Sequence, residues 1–483
     1  MWHGRGNEND GQECPSYGVF DRSRSDQRLT MAQRDLKSLP VRRATLLLAG
    51  LVAAFVPVMQ LLVDHARPQL SKPALAGFIA ALFLAGLCLL PRRLNLLLLV
   101  MNGMGLITLG LAEWGCSLWM APVSSSIYDW DDRTIYRTQP NSKKKYRRTA
   151  INGGQTSEVS INSLGFRGPE FPETTTTPRV IVYGDSFIEA EYSQFDQTFC
   201  ERLREDLNRR SGQSIDVINA GTNGFGPDQL LLRMETELPR LKPRLVVLSL
   251  FADNDCGDLL RNKLFRLDAD GKLVANTWSR APDCLHPGSR GRYEPTLWKL
   301  ARNAIRGLQS RGGVVESYME RWRLQCLAEY DEYITRGDSV VRDLQADHYD
   351  ADISLTPGCP SADYKQRLFV CVLERIRQIC DANQTRLVVM VIPSPGDLME
   401  GYDFCQIDQQ RYPQYQPRAL TDLMASAARD QQLRVVNLFD SFKKADAQQL
   451  YFRGGDNHWN DAGQKLAAEI VAEAIGGEFK TSE

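Results

Sequence analysis

The chain has 483 residues, 43% of them hydrophobic and 24% charged, with a formal net charge of -1 at pH 7. That length predicts two or three structural units. Near-neutral charge without a long basic stripe excludes an electrostatically driven nucleic-acid binder, so no nucleic-acid partner is expected.

The first thirty residues are polar and lack apolar periodicity, which predicts a disordered N-terminus within 1–43. Residues 44–63 (ATLLLAGLVAAFVPVMQLLV) form an apolar run of bilayer-spanning length. Runs at 74–90 and 94–112 follow, divided by Pro91-Arg92-Arg93, so 44–120 is expected to hold about three transmembrane helices. The run at 74–90 is short, and a re-entrant or interfacial segment is its alternative. Arg34, Lys37, Arg42 and Arg43 crowd the entry to the first run, which places 1–43 in the cytoplasm by the positive-inside rule. Arg67 and Lys72 then fall on the outer side, against that rule. The first apolar stretch lies far from the terminus and has no small-residue cleavage site after it, so it is expected to stay attached as an anchor. A multi-pass cell-membrane protein with its main domain on the extracytoplasmic side is the resulting expectation.

Residues 121–178 are turn-rich and polar and read as an extracytoplasmic lead-in. Beyond them short β-branched runs alternate with helix-length segments. Strands are predicted at 179–183, 215–219, 245–251, 387–392 and 434–438, and helices at 196–209, 227–241 and 461–475. Continuous apolar strands alternating with amphipathic helices predict an α/β fold, a doubly wound, flavodoxin-like parallel sheet with helices on both faces, over 179–479. The stretch at about 257–360 breaks the rhythm and reads as an insertion beside the site, either a cap over it or a structural excursion. Helical signals occur there near 296–309 and 314–329.

Eleven cysteines are spread along the chain, eight in the outer domain, with no metal-type spacing. They permit disulfides without establishing them. Asp268-Ala269-Asp270-Gly271 has half the ligands of a calcium loop and reads as a hairpin turn. No metal, nucleotide or other cofactor is expected.

The chemistry-bearing residues fall where predicted strands end, which is where such sheets bind ligands. Ser186, in Gly184-Asp185-Ser186, follows the first strand and opens a helix. Alone it reads as a helix cap sooner than as a nucleophile. Of five histidines, His3 and His65 lie outside the folded domain and His286 and His348 in the insertion. His458 sits in Gly455-Asp456-Asn457-His458-Trp459-Asn460, after the fifth strand, and Asp456 two residues earlier can face the same way and orient it. Gly221, after the second strand, and Asn254, after the third, are candidate oxyanion donors together with the Ser186 N–H.

Those blocks, Gly-Asp-Ser, a glycine, Asn-Asp and an Asp/His pair, resemble the SGNH (GDSL-type) hydrolases over about 161–474. The resemblance begins at Asn162-Ser163-Leu164-Gly165-Phe166-Arg167-Gly168. It implies Ser186 as nucleophile, His458 and Asp456 as base and orienter, and Ser186, Gly221 and Asn254 as the oxyanion hole. Two positions depart from the family pattern. Ala252 replaces the usual glycine, and Asp456 lies two rather than three residues before the histidine, a spacing similar to that of some exopolysaccharide O-acetyltransferase relatives.

The expected activity is that of a membrane-anchored serine esterase acting on acyl esters of an extracytoplasmic glycan or lipid. One alternative is an O-acyltransferase passing the acyl group from Ser186 to a polysaccharide hydroxyl, its spans docking a membrane-embedded partner that supplies activated acyl groups. The other is a non-catalytic binding or assembly protein on an esterase scaffold.

Overall fold

The computed structural model of the chain describes residues 91–120, 127–276, 316–335, 349–399, 402, 407–454 and 456–479. The chain divides into two compact units, Met1–Leu118 and Trp119–Glu483.

The described part of the first unit is the helix Arg92–Met120. Its described side chains include large exposed apolar ones, among them Leu97, Ile107, Leu111 and Trp114. Among the described residues no helix is long and apolar enough to cross a membrane. The span expected at 94–112 falls on this helix and is corrected accordingly; Asn95, Asn102, Glu113 and four glycines interrupt its apolar sequence. The spans expected at 44–63 and 74–90 lie outside the described residues, as does the N-terminus at 1–43.

In the second unit the segment read as a turn-rich lead-in holds two antiparallel pairs. Strand β1 (Tyr128–Asp131) pairs with β2 (Ile135–Thr138), and β3 (Lys143–Arg147) with β4 (Thr156–Ser160). These strands carry no apolar run that sequence could register. In KKKYR exposed and partly covered positions alternate instead. The motif at 162–168 explains itself locally. Asn162 Oδ1 accepts from the N–H groups of Leu164 and Phe166 at 3.0 and 2.9 Å, and Arg167 bridges to Asn219 at the sheet edge.

The core is a five-stranded, all-parallel sheet of β5 (Arg179–Gly184), β6 (Asp216–Gly221), β7 (Leu245–Ala252), β10 (Arg386–Pro393) and β11 (Arg434–Asn437), in the order β11-β10-β7-β5-β6. Each predicted strand is present within about two residues, and the order is that of a doubly wound sheet. Side chains alternate between two cores as the pleat requires. Ile181, Tyr183, Val246, Leu248 and Val389 pack with the helices Pro227–Leu241, Pro360–Ala382 and Ala419–Asp430. Val180, Val182, Val247 and Met390 pack on the opposite side with Phe199–Ser211 and Asp461–Ile475.

Part of the predicted insertion is described. After the helix Asp255–Asn262 comes a hairpin, β8 (Phe265–Leu267) and β9 (Leu273–Ala275), whose turn is closed by Asp268 Oδ1 accepting from Asp270 N and Lys272 N at 3.0 and 2.8 Å. The Asp-Ala-Asp-Gly sequence is thus a hairpin turn. The helix Glu316–Thr335 covers the second helical signal, and the first, 296–309, lies outside the described residues. The insertion's far end locks onto the sheet edge. Asp350 N donates to Asp253 O at 2.5 Å, and Gly257 N donates to Asp350 Oδ2 at 3.1 Å.

Buried Lys365 joins that end to the core, reaching Asp350 and Asp352, both fully buried, at 2.5 and 2.6 Å. Burial works against its charge, and the Asp350 carboxylate chiefly overcomes that and holds the ammonium protonated. Lys365→Met would leave two buried carboxylates without their cation. The expected cost is about 3–5 kcal/mol of stability, read as a lower denaturant midpoint; an unchanged midpoint would contradict the pairing. Among the described cysteines, Cys200, Cys256, Cys326, Cys359, Cys371 and Cys380 of this unit are free.

Candidate functional site

Strand β5 ends at Gly184, and the chain turns at Asp185 into the short helix Ser186–Glu189. Asp185, not Ser186, caps it, accepting from Phe187 N at 2.9 Å. The Ser186 hydroxyl is left for another partner. That partner is His458, whose Nε2 lies 2.7 Å from Ser186 Oγ. On the far side of the ring Nδ1 lies 2.7 Å from Asp456 Oδ1, which also accepts from the His458 N–H at 3.1 Å. The three residues proposed from sequence therefore form one continuous hydrogen-bonded chain, 272 residues of sequence apart at its widest.

The loop carrying His458 is held from below and at both ends. Trp459, buried, donates its indole N–H to Phe187 O at 3.2 Å and lies against Phe187 and Phe199. Asn460 caps the terminal helix, accepting from Ala462 N and Gly463 N. Tyr402 Oη donates to Asp456 O at 2.7 Å, and Asn457 Nδ2 donates to Asp253 Oδ2 at 3.1 Å. The loops after β7 and β11 are thereby tied together.

Burial opposes a charge on His458, but the Asp456 carboxylate, with Glu191 and Asp185 beyond it, outweighs this and raises the imidazole to about 9. Asp255, two places past Asp253, is pushed well above the usual carboxylate range, first by burial and then by Asp185 and Asp258. Its Oδ2 accepts from Phe251 N at 2.8 Å.

The remaining candidates divide. Asn254 is buried at the N-terminus of the helix Asp255–Asn262, at the end of β7, beside the β5 edge where Ser186 stands. Gly221 has a different job. Its N–H donates to Asn219 Oδ1 at 3.0 Å, so that donor is already engaged. A Cβ there would lie 2.1 Å from Glu189 N and 2.5 Å from Ile188 C, so glycine lets β6 pass under the helix that carries Ser186. Gly221→Ala is expected to destabilise the fold by about 3 kcal/mol, seen as a fall in thermal midpoint; a neutral substitution would rule out this packing.

Gly224, three residues on, offers a backbone N–H that the sequence reading passed over. It has φ +75°, and its N–H makes no hydrogen bond among the described residues. The signal was present in the second glycine of Gly221-Thr222-Asn223-Gly224, whose positive φ only the folded turn exhibits.

Metal-ligating geometry is confined, among the described residues, to Cys326, Asp350 and Asp352, whose ligand atoms lie within 4.8 Å of one another. The Lys365 ammonium bonds both carboxylates and takes the place a cation would need. His458 is the only histidine among the described residues.

A serine hydroxyl on an imidazole that is itself held by a carboxylate can form an acyl-enzyme: the imidazole takes the hydroxyl proton and returns it to the leaving group. The short helix and the turn at 222–224 bring backbone N–H groups to the same sheet edge.

Solved structures similar to this chain include a lipase/acylhydrolase from Enterococcus faecalis, at 12% identity over 64% of this chain and 100% of that one, TM-score 0.32. Another is a catalytic mutant of an acetylxylan esterase from Geobacillus stearothermophilus, at 10% identity over 65% and 100%, TM-score 0.33. A GDSL-like lipase from Bacteroides thetaiotaomicron matches at 12% identity over 64% and 93%, TM-score 0.29. No match is found among the curated proteins. Residues 371–483, the stretch that contains Asp456 and His458, match the family described as SGNH hydrolase-like domain, acetyltransferase AlgX.

Proposed function

We propose that this protein is a serine-dependent acyl-ester enzyme in which Ser186 takes up an acyl group and passes it on. The observation that carries this reading is the unbroken path from Ser186 Oγ through the His458 ring to Asp456, with both links at 2.7 Å. His458 removes the hydroxyl proton as Oγ attacks the ester carbonyl, and Asp456 stabilises the imidazolium that forms. The oxyanion is held by the Ser186 N–H, the Asn254 side chain and, in place of Gly221, the Gly224 N–H. His458 then protonates the departing alcohol, and a second hydroxyl resolves the acyl-enzyme.

Water as that second hydroxyl makes the protein an esterase; a sugar hydroxyl makes it an O-acyltransferase. The match at 371–483 to a family described by an acetyltransferase favours transfer. Incubation with p-nitrophenyl acetate, with and without oligosaccharide acceptors, separates the two. Transfer predicts acetylated oligosaccharide and slow turnover in water alone; rapid hydrolysis unaffected by acceptors would establish the esterase.

The proposed setting is the extracytoplasmic side of a membrane, with an acyl ester on a glycan or lipid as substrate. The apolar run at 44–63, and the cations before it, support an anchor with its N-terminus in the cytoplasm and an odd number of crossings. Reporter fusions after Pro122 test the orientation: an extracytoplasmic signal is expected, and a cytoplasmic one would overturn it.

A further inference from the structure

The loop that follows the nucleophile carries two acidic residues that the reaction as described does not use. Glu189, which ends the helix opened by Ser186, is fully buried, and Glu191, two residues on, nearly so. Among the described residues neither makes an ion pair. Instead both reach the same residue of the turn at 222–224. Glu189 Oε2 accepts from Asn223 N at 2.6 Å, and Glu191 Oε2 accepts from Asn223 Nδ2 at 2.8 Å. Asn223 O in turn accepts from Tyr136 Oη at 2.7 Å, and Tyr128 Oη donates to Glu189 at 2.7 and 2.9 Å. Every polar group of Asn223 that these bonds engage is therefore fixed from outside its own turn.

The acidic segment is itself held at its backbone. Buried Arg167 donates to the carbonyls of Glu189, Ala190 and Ser193, and Ala190 is held at φ +56°, a left-handed conformation that a non-glycine residue adopts only when its surroundings impose it. A buried carboxyl without an opposite charge costs stability that its hydrogen bonds offset only in part. The cost is visible in Glu189, which burial, and then Glu191, raise to about 7.

We propose that Glu189 and Glu191, closed off by Tyr128 and Tyr136, are positioning residues that hold Asn223 so that the next N–H, that of Gly224, points at the oxyanion. The clamp connects the helix that opens with Ser186 to the turn that completes its oxyanion hole, so nucleophile and hole keep a fixed separation. It also gives β1 and β2 a part in the reaction, since each tyrosine comes from one of those strands. This inference rests on the reading of Ser186 as nucleophile and Gly224 as donor.

The test uses the full chain with p-nitrophenyl acetate and compares Tyr128→Phe, Tyr136→Phe, Glu189→Gln and Ser186→Ala. Rates of the wild type, both tyrosine variants and Glu189→Gln are normalised to the fraction that a fluorophosphonate titrates, which removes unfolded protein from the comparison, and Ser186→Ala is normalised to the folded fraction read by circular dichroism. Each tyrosine variant is expected to lose about tenfold in kcat and Glu189→Gln about a hundredfold, with KM held within about twofold. A merely structural role would lower the titrated fraction and leave normalised kcat unchanged, and that result overturns the clamp. If Glu189→Gln does not fold, the two tyrosine variants decide. An inactive Ser186→Ala beside tyrosine variants with full kcat rejects the clamp and keeps the nucleophile; an active Ser186→Ala rejects both.

Discussion

Replacing Ser186 by alanine is expected to lower kcat for ester turnover by about 10³–10⁶-fold while the protein stays folded. The hydroxyl is half-buried, its one observed partner is His458 Nε2, and Asp185 rather than Ser186 caps the helix. Removing it therefore deletes the nucleophile without uncapping the helix or opening a cavity of consequence. Circular dichroism and the thermal midpoint should match the wild type, with KM little changed. Loss of activity together with loss of fold would instead assign Ser186 a structural role.

Asp456→Asn should be nearly as damaging, about 10³–10⁴-fold in kcat, and should also change the pH dependence. Only the neutral imidazole can accept the Ser186 proton, so kcat/KM of the wild type should rise with pH until His458 deprotonates near 9. The asparagine removes the carboxylate that chiefly raises that value, so the acid limb moves down toward the ordinary histidine range while the plateau falls. Stability moves with the same group. Because the folded value lies above the unfolded one, the His458–Asp456 pair contributes stability in full below the unfolded histidine pKa of about 6.5 and loses it as pH rises toward 9. Asp456→Asn should weaken that dependence, as a denaturant midpoint measured across this window would register.

Much of this was legible in sequence because the relevant signals are short-range. The run at 387–392 is apolar at every position and that at 245–251 at all but Ser249, a pattern that suits a strand covered on both faces, and they became β10 and β7. Asp456 and His458 were readable as a pair because two residues in an extended loop face one way. Ser186 was readable only through its partners, since the serine itself could have been the cap that Asp185 turned out to be.

What escaped reading depends on contacts distant in the chain. Strands β1 to β4 carry tyrosines and lysines rather than apolar runs, and β1 and β2 are held by partners such as Glu189 and Asn223, which no local pattern announces. Gly221 and Gly224 are equivalent as letters. One is glycine because the backbone of Ile188 and Glu189 passes within van der Waals reach, the other because its turn needs a positive φ. Glu189 and Glu191 read as ordinary loop acids until Asn223 is brought between them.

The central claim is that Ser186 carries the acyl group, and the most direct measurement of it is the site of covalent modification. Wild-type protein treated with a fluorophosphonate, or quenched in acid during turnover of p-nitrophenyl acetate, should gain one adduct, which tandem mass spectrometry of the peptide spanning β5 should place on Ser186. An adduct on another residue, or none under conditions where ester is consumed, would contradict the account.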